Sequence, residues 1–509
     1  MGMRDSGGEA DGMRILTYGA ATAAALAITA TTSAAPHPAR AAGAATVSWH
    51  ACEGTGLDPR QECATLPVPL DYRRPDGRRI ELAISRIPSE RPEKRRGVLL
   101  LIPGGPGNPG LDRPSAVKDR LPAAVREAYD LVGFDPRGVG HSTPISCDLP
   151  HEDLAPVNQR PWPAPDGDIS GNVTTERRIA RTCARNGGDL IRDVSTVNEA
   201  RDIDRVRQAL GEARISAWGV SYGTYAGAVY TTMFPRHTDR VVLDSNDDPD
   251  PVRVERAWLA NFAVGVEDRF PDFAAWASKA GNPYRLAATP GAVRSLFVDL
   301  AARLDREPIP WPGANPPRLS GNVLRETLLD SLYDDDAFPS LATLIRAARD
   351  STPLPTPSSP PDAVLQNTTA VAVGTLCNDV TWPNSIPDLA RDVAADRARH
   401  PLTAGMPANV MPCAFWPYQP ADPPTRVTSR GPSNVLLVQN LRDPATPYSG
   451  ALNLRRAFGN RARMVTVDSG GHDAYLANGN ACGDRLVTAF LAEGRRPAHD
   501  TLCPAESRR

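Results

Sequence analysis

The sequence has little net charge. Its 57 Lys and Arg residues nearly balance its 59 Asp and Glu residues, which gives a formal net charge of −2. A chain with this balance offers no electrostatic reason to bind nucleic acid or an anionic membrane surface. No internal repeat is apparent, and 41% hydrophobic with 23% charged residues is typical of a soluble globular protein. We therefore expect neither a nucleic-acid partner nor stable membrane association.

The sequence also lacks a Cys-x-x-Cys pair, so it gives little support to a zinc or thiol-redox site, and we expect no metal and no organic cofactor. Eight cysteines are present, an even number that favours disulfides in an oxidising compartment. The simplest scheme pairs sequence neighbours, and the alternative leaves some buried thiols free. The predicted pairs are Cys52–Cys63, Cys147–Cys183, Cys377–Cys413 and Cys482–Cys503.

The N-terminal region is typical of an export signal. Met13-Arg14 supplies a positive start, residues 15–30 form an Ala-rich apolar stretch, and small residues follow up to Ala41. We predict a signal peptide over residues 1–41 and a secreted, extracellular mature protein. The alternative is a retained membrane anchor, although the apolar run is weakly hydrophobic and shorter than a typical span.

Several short apolar runs predict buried strands. Such runs, rich in Val, Leu and Ile, are typical of parallel strands that are covered on both faces. Amphipathic helix patterns lie between them, and an antiparallel hairpin precedes them, so the sequence predicts an α/β fold with a mostly parallel central sheet. The runs are residues 97–103, 129–135, 215–220, 240–244, 434–440 and 463–468.

This alternation stops near Pro249 and resumes near Ser433, and the sequence between them is helical and punctuated by proline. We therefore predict an α/β core in two parts, residues 42–249 and 431–509, with a mainly helical lid inserted over residues 250–430.

The most informative segment is Gly219-Val220-Ser221-Tyr222-Gly223, which has the form Gly-x-Ser-x-Gly. It follows a predicted strand and opens into a predicted helix, which is the setting of a nucleophile elbow. The alternative is a plain glycine-rich turn. We predict that Ser221 is a catalytic nucleophile.

A serine nucleophile needs a base and an orienting carboxylate. Asp443 and His472 each follow a predicted strand, in the chain order Ser, Asp, His that α/β-hydrolases use. Asp468 and Asp473 remain alternatives to Asp443. We predict that Asp443 and His472 complete a triad.

An oxyanion hole needs backbone N–H groups directed at the developing negative charge. The glycines of Pro103-Gly104-Gly105-Pro106-Gly107, which follows a predicted strand, would let bare backbone face a ligand. We expect the N–H groups of Gly105 and Tyr222 to be the donors. The alternative is a simple Gly-Pro turn.

These motifs together resemble the secreted actinobacterial tripeptidyl aminopeptidases of the proline-iminopeptidase group of α/β-hydrolases. The resemblance spans roughly residues 50–500. Two positions depart from the family pattern: Pro103 replaces a histidine in the oxyanion loop, and Asp244-Ser245-Asn246 replaces the usual Asp-Gly. The matching segments are residues 104–107, 135–142, 202–211, 219–225, 377–379, 443–447 and 470–472.

The resemblance implies the α/β-hydrolase fold and a serine exopeptidase that releases short peptides, tripeptides in this family, from substrates with free N-termini. It also implies a lid carboxylate for the substrate ammonium, with Asp379 as the first candidate, then Glu267 and residues 334–336. Each of these acids has an alternative reading as a solvated side chain. The alternative functions are a carboxylesterase or lactone hydrolase with the same triad, and an inactive hydrolase-fold binding protein.

Overall fold

A mixed ten-stranded sheet forms the centre of the computed structural model, which describes residues 47–250 and 256–506. The strand order is β1-β2-β3-β5-β4-β6-β7-β10-β11-β12. The strands are β1 His50–Ala51, β2 Glu62–Pro69, β3 Arg79–Ile87, β4 Gly97–Ile102, β5 Tyr129–Phe134, β6 Ile215–Val220, β7 Thr238–Asp244, β8 Ile309–Pro310, β9 Arg318–Leu319, β10 Val435–Arg442, β11 Ala462–Gly470 and β12 Thr501–Cys503. The predicted signal peptide lies outside the described residues.

The sheet is parallel from β5 through β12 in its spatial order, and β1, β2 and β3 join it as antiparallel strands. All six apolar runs of the sequence form strands of the parallel part. This architecture confirms the predicted α/β fold with a mostly parallel central sheet.

Some helices cover the two faces of the sheet, and others form the segment between strands β7 and β10. The helices are α1 Arg113–Lys118, α2 Ala123–Ala128, α3 Pro156–Gln159, α4 Ser170–Asn186, α5 Thr196–Ala209, α6 Tyr222–Met233, α7 Arg256–Ser278, α8 Pro290–Arg306, α9 Gly321–Ser331, α10 Phe338–Asp350, α11 Asp362–Asp379, α12 Ile386–Arg399, α13 Tyr448–Phe458 and α14 Ala481–Glu493.

The burial of β4 shows why its sequence is uninterrupted by polar residues. Val98, Leu100 and Ile102 pack into a core with α5 and α6, while Leu99 and Leu101 face the opposite core, with α2 and α14. Successive side chains of a strand point to opposite faces, so a strand covered on both sides is apolar throughout.

The chain between β7 and β10, called the inserted segment below, carries α7 to α12 and the short β8–β9 ribbon. Helices α7 to α10 share a hydrophobic core of their own, which includes Phe270, Phe297, Leu328 and Phe338. Helix α11 instead packs into the core beside the sheet, through residues such as Val371 and Cys377. The boundaries of a lid domain remain a prediction.

Four disulfides join all eight cysteines as sequence neighbours, which confirms the predicted pairing: Cys52–Cys63, Cys147–Cys183, Cys377–Cys413 and Cys482–Cys503. Among the described residues, none of the helices is both long and apolar enough to cross a membrane. All described residues belong to one compact unit, Ala44–Arg509.

Candidate active site

Ser221 lies at a sharp turn between β6, which ends at Val220, and α6, which begins at Tyr222. Its backbone has φ 56° and ψ −129°, a conformation that is sparsely populated by residues other than glycine. Hydrogen bonds hold the turn, since its N–H donates to the Asp244 carbonyl at 3.1 Å and its carbonyl accepts from the Thr224 N–H at 2.7 Å. A strained serine at the half-buried apex of a strand–turn–helix is typical of a nucleophile elbow.

The two glycines of the motif are required by close packing. A Cβ at Gly219 would lie 2.3 Å from the carbonyl oxygen of Gly223, and a Cβ at Gly223 would lie 2.6 Å from the carbonyl oxygen of Ile102. Any larger residue at either position would push α6 away from β4 and β6, and Ser221 would move with it.

Asp443 and His472 form a direct pair. The distance from His472 Nδ1 to each carboxylate oxygen of Asp443 is 3.0 Å. The same carboxylate also accepts the N–H groups of Ala445 and Thr446, both at 2.9 Å, and the Thr446 hydroxyl at 3.0 Å. Asp443 is fully buried, so these donors replace the water that the carboxylate has lost.

The electrostatics of the pair favour charge on both partners. Burial alone would raise the pKa of Asp443, but the nearby imidazole and the N–H donors lower it below its ordinary value. Burial alone would lower the pKa of His472, but the charge of Asp443 and its hydrogen bond raise it to about 9. With Nδ1 held by Asp443, the imidazole presents Nε2 as its remaining base.

Tyr333, which follows α9, covers His472 from the inserted segment. The backbone carbonyl oxygen of Tyr333 accepts the backbone N–H of His472 at 2.8 Å. The two rings meet edge to face, with 4.9 Å between their centroids. The sequence carried no local signal for this contact, because it joins residues far apart in the chain.

The glycine loop after β4 passes directly over Ser221. A Cβ at Gly104 would lie 3.0 Å from the Ser221 Cβ and 3.6 Å from its hydroxyl oxygen. Tyr222 is the first residue of α6, so its N–H has no acceptor within the helix and lies at the positive end of the helix dipole. The assignment of the N–H groups of Gly105 and Tyr222 as an oxyanion hole remains a prediction.

Three of the other predicted acids, which are Asp379, Glu267 and Asp468, already have partners within the protein. The buried Asp379 ends α11, and its carboxylate accepts the Thr196 N–H at 2.9 Å at the start of α5. Glu267 of α7 forms an ion pair with Arg294 at 2.8 Å. Asp468, an alternative to Asp443, pairs with Arg442 at 2.7 Å.

The structure adds acids near the site that the sequence analysis missed. Asp247 is buried, which raises its pKa to about 8, and its charge acts on His472 and Asp443. Glu199 of α5 accepts the Tyr222 hydroxyl at 2.8 Å, directly behind the elbow. The acidic run after β7 could have indicated Asp247, whereas Glu199 lies in an ordinary helix pattern. No group of three or more potential metal ligands occurs within residues 47–250 and 256–506.

A cavity of about 620 Å³ lies between α3 and the inserted segment, and its wall contains no triad residue. Its wall includes the rings of Tyr284 and Trp311 and the carboxylates of Glu326 and Asp330. Arg160 donates to Glu326 and to Asp330, so two acids share one cation.

The chain matches known proteins over almost its whole length. A family model described as alpha/beta hydrolase fold matches residues 97–283, and one described as TAP-like protein matches residues 401–503. The chain is 34% identical to the tripeptidyl aminopeptidase of Streptomyces lividans, over 91% of this chain and 88% of that protein. It is 31% identical to the serine protease Hip1 of Mycobacterium tuberculosis, over 87% of each chain. It is 30% identical to the carboxylesterase B of Mycobacterium tuberculosis, over 90% of this chain and 89% of that protein.

Proposed function

The chain belongs to the α/β-hydrolase family of the tripeptidyl aminopeptidases, and we propose that it is a secreted serine exopeptidase that releases tripeptides from free N-termini. The comparisons confirm the family resemblance that the motifs predict. The observation that carries the proposal is the buried Asp443–His472 pair, in a fold that presents Ser221 on an elbow after β6.

In the proposed mechanism, the Ser221 hydroxyl attacks the scissile carbonyl while His472 Nε2 takes its proton. Asp443 holds the imidazole in the tautomer with the proton on Nδ1 and stabilises the imidazolium that forms. The N–H groups of Gly105 and Tyr222 stabilise the oxyanion. His472 then returns the proton to the leaving amine, and water releases the tripeptide from the acyl-enzyme.

An exopeptidase must also bind the substrate ammonium, and a charged group that leaves water needs a charged partner. Asp379 and Glu267 remain candidates from the family resemblance. The cavity acids Glu326 and Asp330 are further candidates, since they outnumber Arg160 and lie close in the chain to Tyr333, which contacts His472.

Secretion is part of the proposal. Four disulfides support an oxidising compartment, and the Ala-rich N-terminal region supports export. Mass determination of the mature protein from the culture medium, with the cleavage site after Ala35 or Ala41, tests this point.

The decisive experiment for activity incubates the purified protein with a mixed peptide library and identifies the products by mass spectrometry. Release of tripeptides from free peptides, with N-acetylated copies left intact, supports the proposal. A carboxylesterase is the second candidate, favoured by the similarity to a protein of that name. Turnover of p-nitrophenyl esters with no cleavage of any peptide would contradict the peptidase proposal and support an esterase.

A further inference from the structure

Asp244, the last residue of β7, lies beside the nucleophile in the sheet. It pairs with Val220 across the parallel strands β6 and β7, and its carbonyl oxygen accepts the Ser221 N–H at 3.1 Å. The position of Ser221 is therefore fixed partly by the backbone of Asp244.

The side chains of Asp244 and Ser245 hold the segment that follows His472. The two carboxylate oxygens of Asp244 accept the N–H groups of Ala474 and Tyr475 at 2.8 and 2.9 Å. The Ser245 hydroxyl accepts the N–H of Asp473 at 2.8 Å. The backbone N–H groups of the three residues after His472 thus donate to the side chains of Asp244 and Ser245, which are both fully buried.

The next residue, Asn246, reaches the strand that leads to Asp443. Its side chain donates to the Val438 carbonyl at 2.9 Å, and its N–H donates to Gln439 Oε1 at 2.7 Å. Gln439 in turn donates to the carbonyl of Thr446 at 2.8 Å, in the loop that carries Asp443. Residues 244–246 therefore contact all three segments of the predicted triad.

We propose that Asp244 is a positioning residue that sets the His472 imidazole against Ser221, and that Ser245, which accepts the backbone N–H of Asp473, is a second positioning residue. The inference rests on the triad of the proposed function. A buried carboxylate with two N–H donors is strongly directional, because an amide in its place would turn an NH₂ group toward one of those donors. Displacing a reacting group by about 1 Å can cost roughly 100-fold in rate.

A variant at Ser245 can distinguish a positioning role from a purely structural one. The φ of Ser245 is 60°, a left-handed conformation that glycine adopts at lower cost. Ser245→Gly should therefore keep or raise Tm while it removes the hydrogen bond to Asp473. A merely structural role for this side chain would make kcat follow Tm, whereas positioning lets kcat fall as Tm holds.

The experiment measures Tm, kcat, KM and the rate of fluorophosphonate labelling for wild type, Asp244→Asn and Ser245→Gly. Burial raises the pKa of Asp244 to about 8, and its N–H donors oppose that shift, so assays near pH 9 keep the carboxylate ionised. The matched control is Asp484→Asn, because the half-buried Asp484 accepts the N–H of Leu476 at 2.8 Å in the same segment and touches no triad residue.

We expect kcat and the labelling rate to fall about 100-fold in Asp244→Asn and about threefold to tenfold in Ser245→Gly, with KM within about threefold. Asp484→Asn should stay within about twofold of wild type. The downfield proton resonance of His472 Nδ1–H should shift in Asp244→Asn and, by less, in Ser245→Gly, and should stay unchanged in Asp484→Asn.

Wild-type kcat and labelling in Asp244→Asn would overturn the inference, as would an equal loss in Asp484→Asn. If Asp244→Asn does not fold, Ser245→Gly decides: an unchanged kcat overturns the inference and a lowered kcat with intact Tm supports it. Wild-type protein that takes no fluorophosphonate label would instead overturn the proposed function, because labelling does not depend on peptide specificity.

Discussion

Gly265 of helix α7 lies directly against the backbone of Pro444, in the loop that carries Asp443. A Cβ at Gly265 would lie 2.2 Å from the Pro444 carbonyl oxygen and 2.9 Å from that of Asp443. The inserted segment therefore contacts both Asp443, through Gly265, and His472, through Tyr333.

Gly265→Ala should move α7 and the Asp443 loop apart. Overpacking of this kind costs about 1–3 kcal/mol, and a backbone oxygen cannot give way as a flexible side chain can. We expect a lower Tm and a kcat reduced by about tenfold or more, measured by calorimetry and ester hydrolysis. Gly291→Ala is the control, because no atom lies within 4 Å of a Cβ there. Equal behaviour of the two variants would contradict the close contact.

Ser221→Ala should lower kcat by on the order of 10⁴-fold or more while the protein stays folded. The reason is that His472 and the oxyanion donors remain but no nucleophile is left. Peptide turnover and fluorophosphonate labelling measure the loss, and circular dichroism checks the fold. Labelling of the variant at the wild-type rate would assign the nucleophile elsewhere.

Activity and stability should respond to pH in opposite directions through His472. As a base the imidazole must be neutral, so kcat/KM should rise with pH toward the raised pKa of about 9. Because the pKa of His472 is higher in the folded protein, protonation of His472 contributes its full stabilisation below pH 6.5, the ordinary pKa. This contribution is lost as the pH rises through the folded-state pKa of about 9. The shift corresponds to up to about 3 kcal/mol.

Denaturant titrations of wild type and His472→Gln across this range measure the second effect. The stability advantage of wild type over the variant should shrink as pH rises from 6.5 to 9. An advantage that grows with pH would show that the Asp443 charge does not raise the pKa of His472.

The candidate carboxylates for the substrate ammonium can be tested with one pair of substrates, a good peptide and its N-acetylated copy. Leaving a buried carboxylate without its ammonium partner costs about 2–5 kcal/mol, so acetylation should lower kcat/KM by roughly 30-fold or more. Asp330→Asn, Glu326→Gln and Asp379→Asn are then compared on the free peptide and on a neutral ester. The residue that binds the ammonium is the one whose loss impairs peptides and spares esters.

Asp379→Asn carries a second expectation, because its carboxylate also accepts the Thr196 N–H. A loss of stability with equal effects on peptides and esters would assign Asp379 to the packing of α11 and not to substrate binding. Equal cleavage of the free and acetylated peptides by wild type would reject the aminopeptidase for every candidate acid.

The parallel strands could be predicted from sequence because each is covered on both faces and is therefore continuously apolar. Helix α11 could not, because its buried side chains, which include Thr369, Val371 and Thr375, do not form one amphipathic stripe. Helix α4 gives only a weak apolar signal, since Ile179, Ala180 and Cys183 are its only buried apolar residues.

Ser221, Asp443 and His472 could be proposed from sequence because each follows a strand, and parallel strands bring their C-terminal ends to one edge of the sheet. The contacts of Tyr333, Gly265 and the side chains of Asp244 and Ser245 could not. They depend on how distant segments meet, and no local pattern records such pairs.

Helix α11 packs beside the sheet, whereas α7 to α10 pack on one another, so the inserted segment does not move as one rigid body. Asn367 and Asn378 of α11 donate hydrogen bonds to the carbonyl groups of Gly138 and Ile191 beside the sheet. A swing of the whole segment would break these bonds. We therefore expect any widening of the approach to Ser221 to come from movement of α8, α9 and α10 relative to α11, which stays attached beside the sheet.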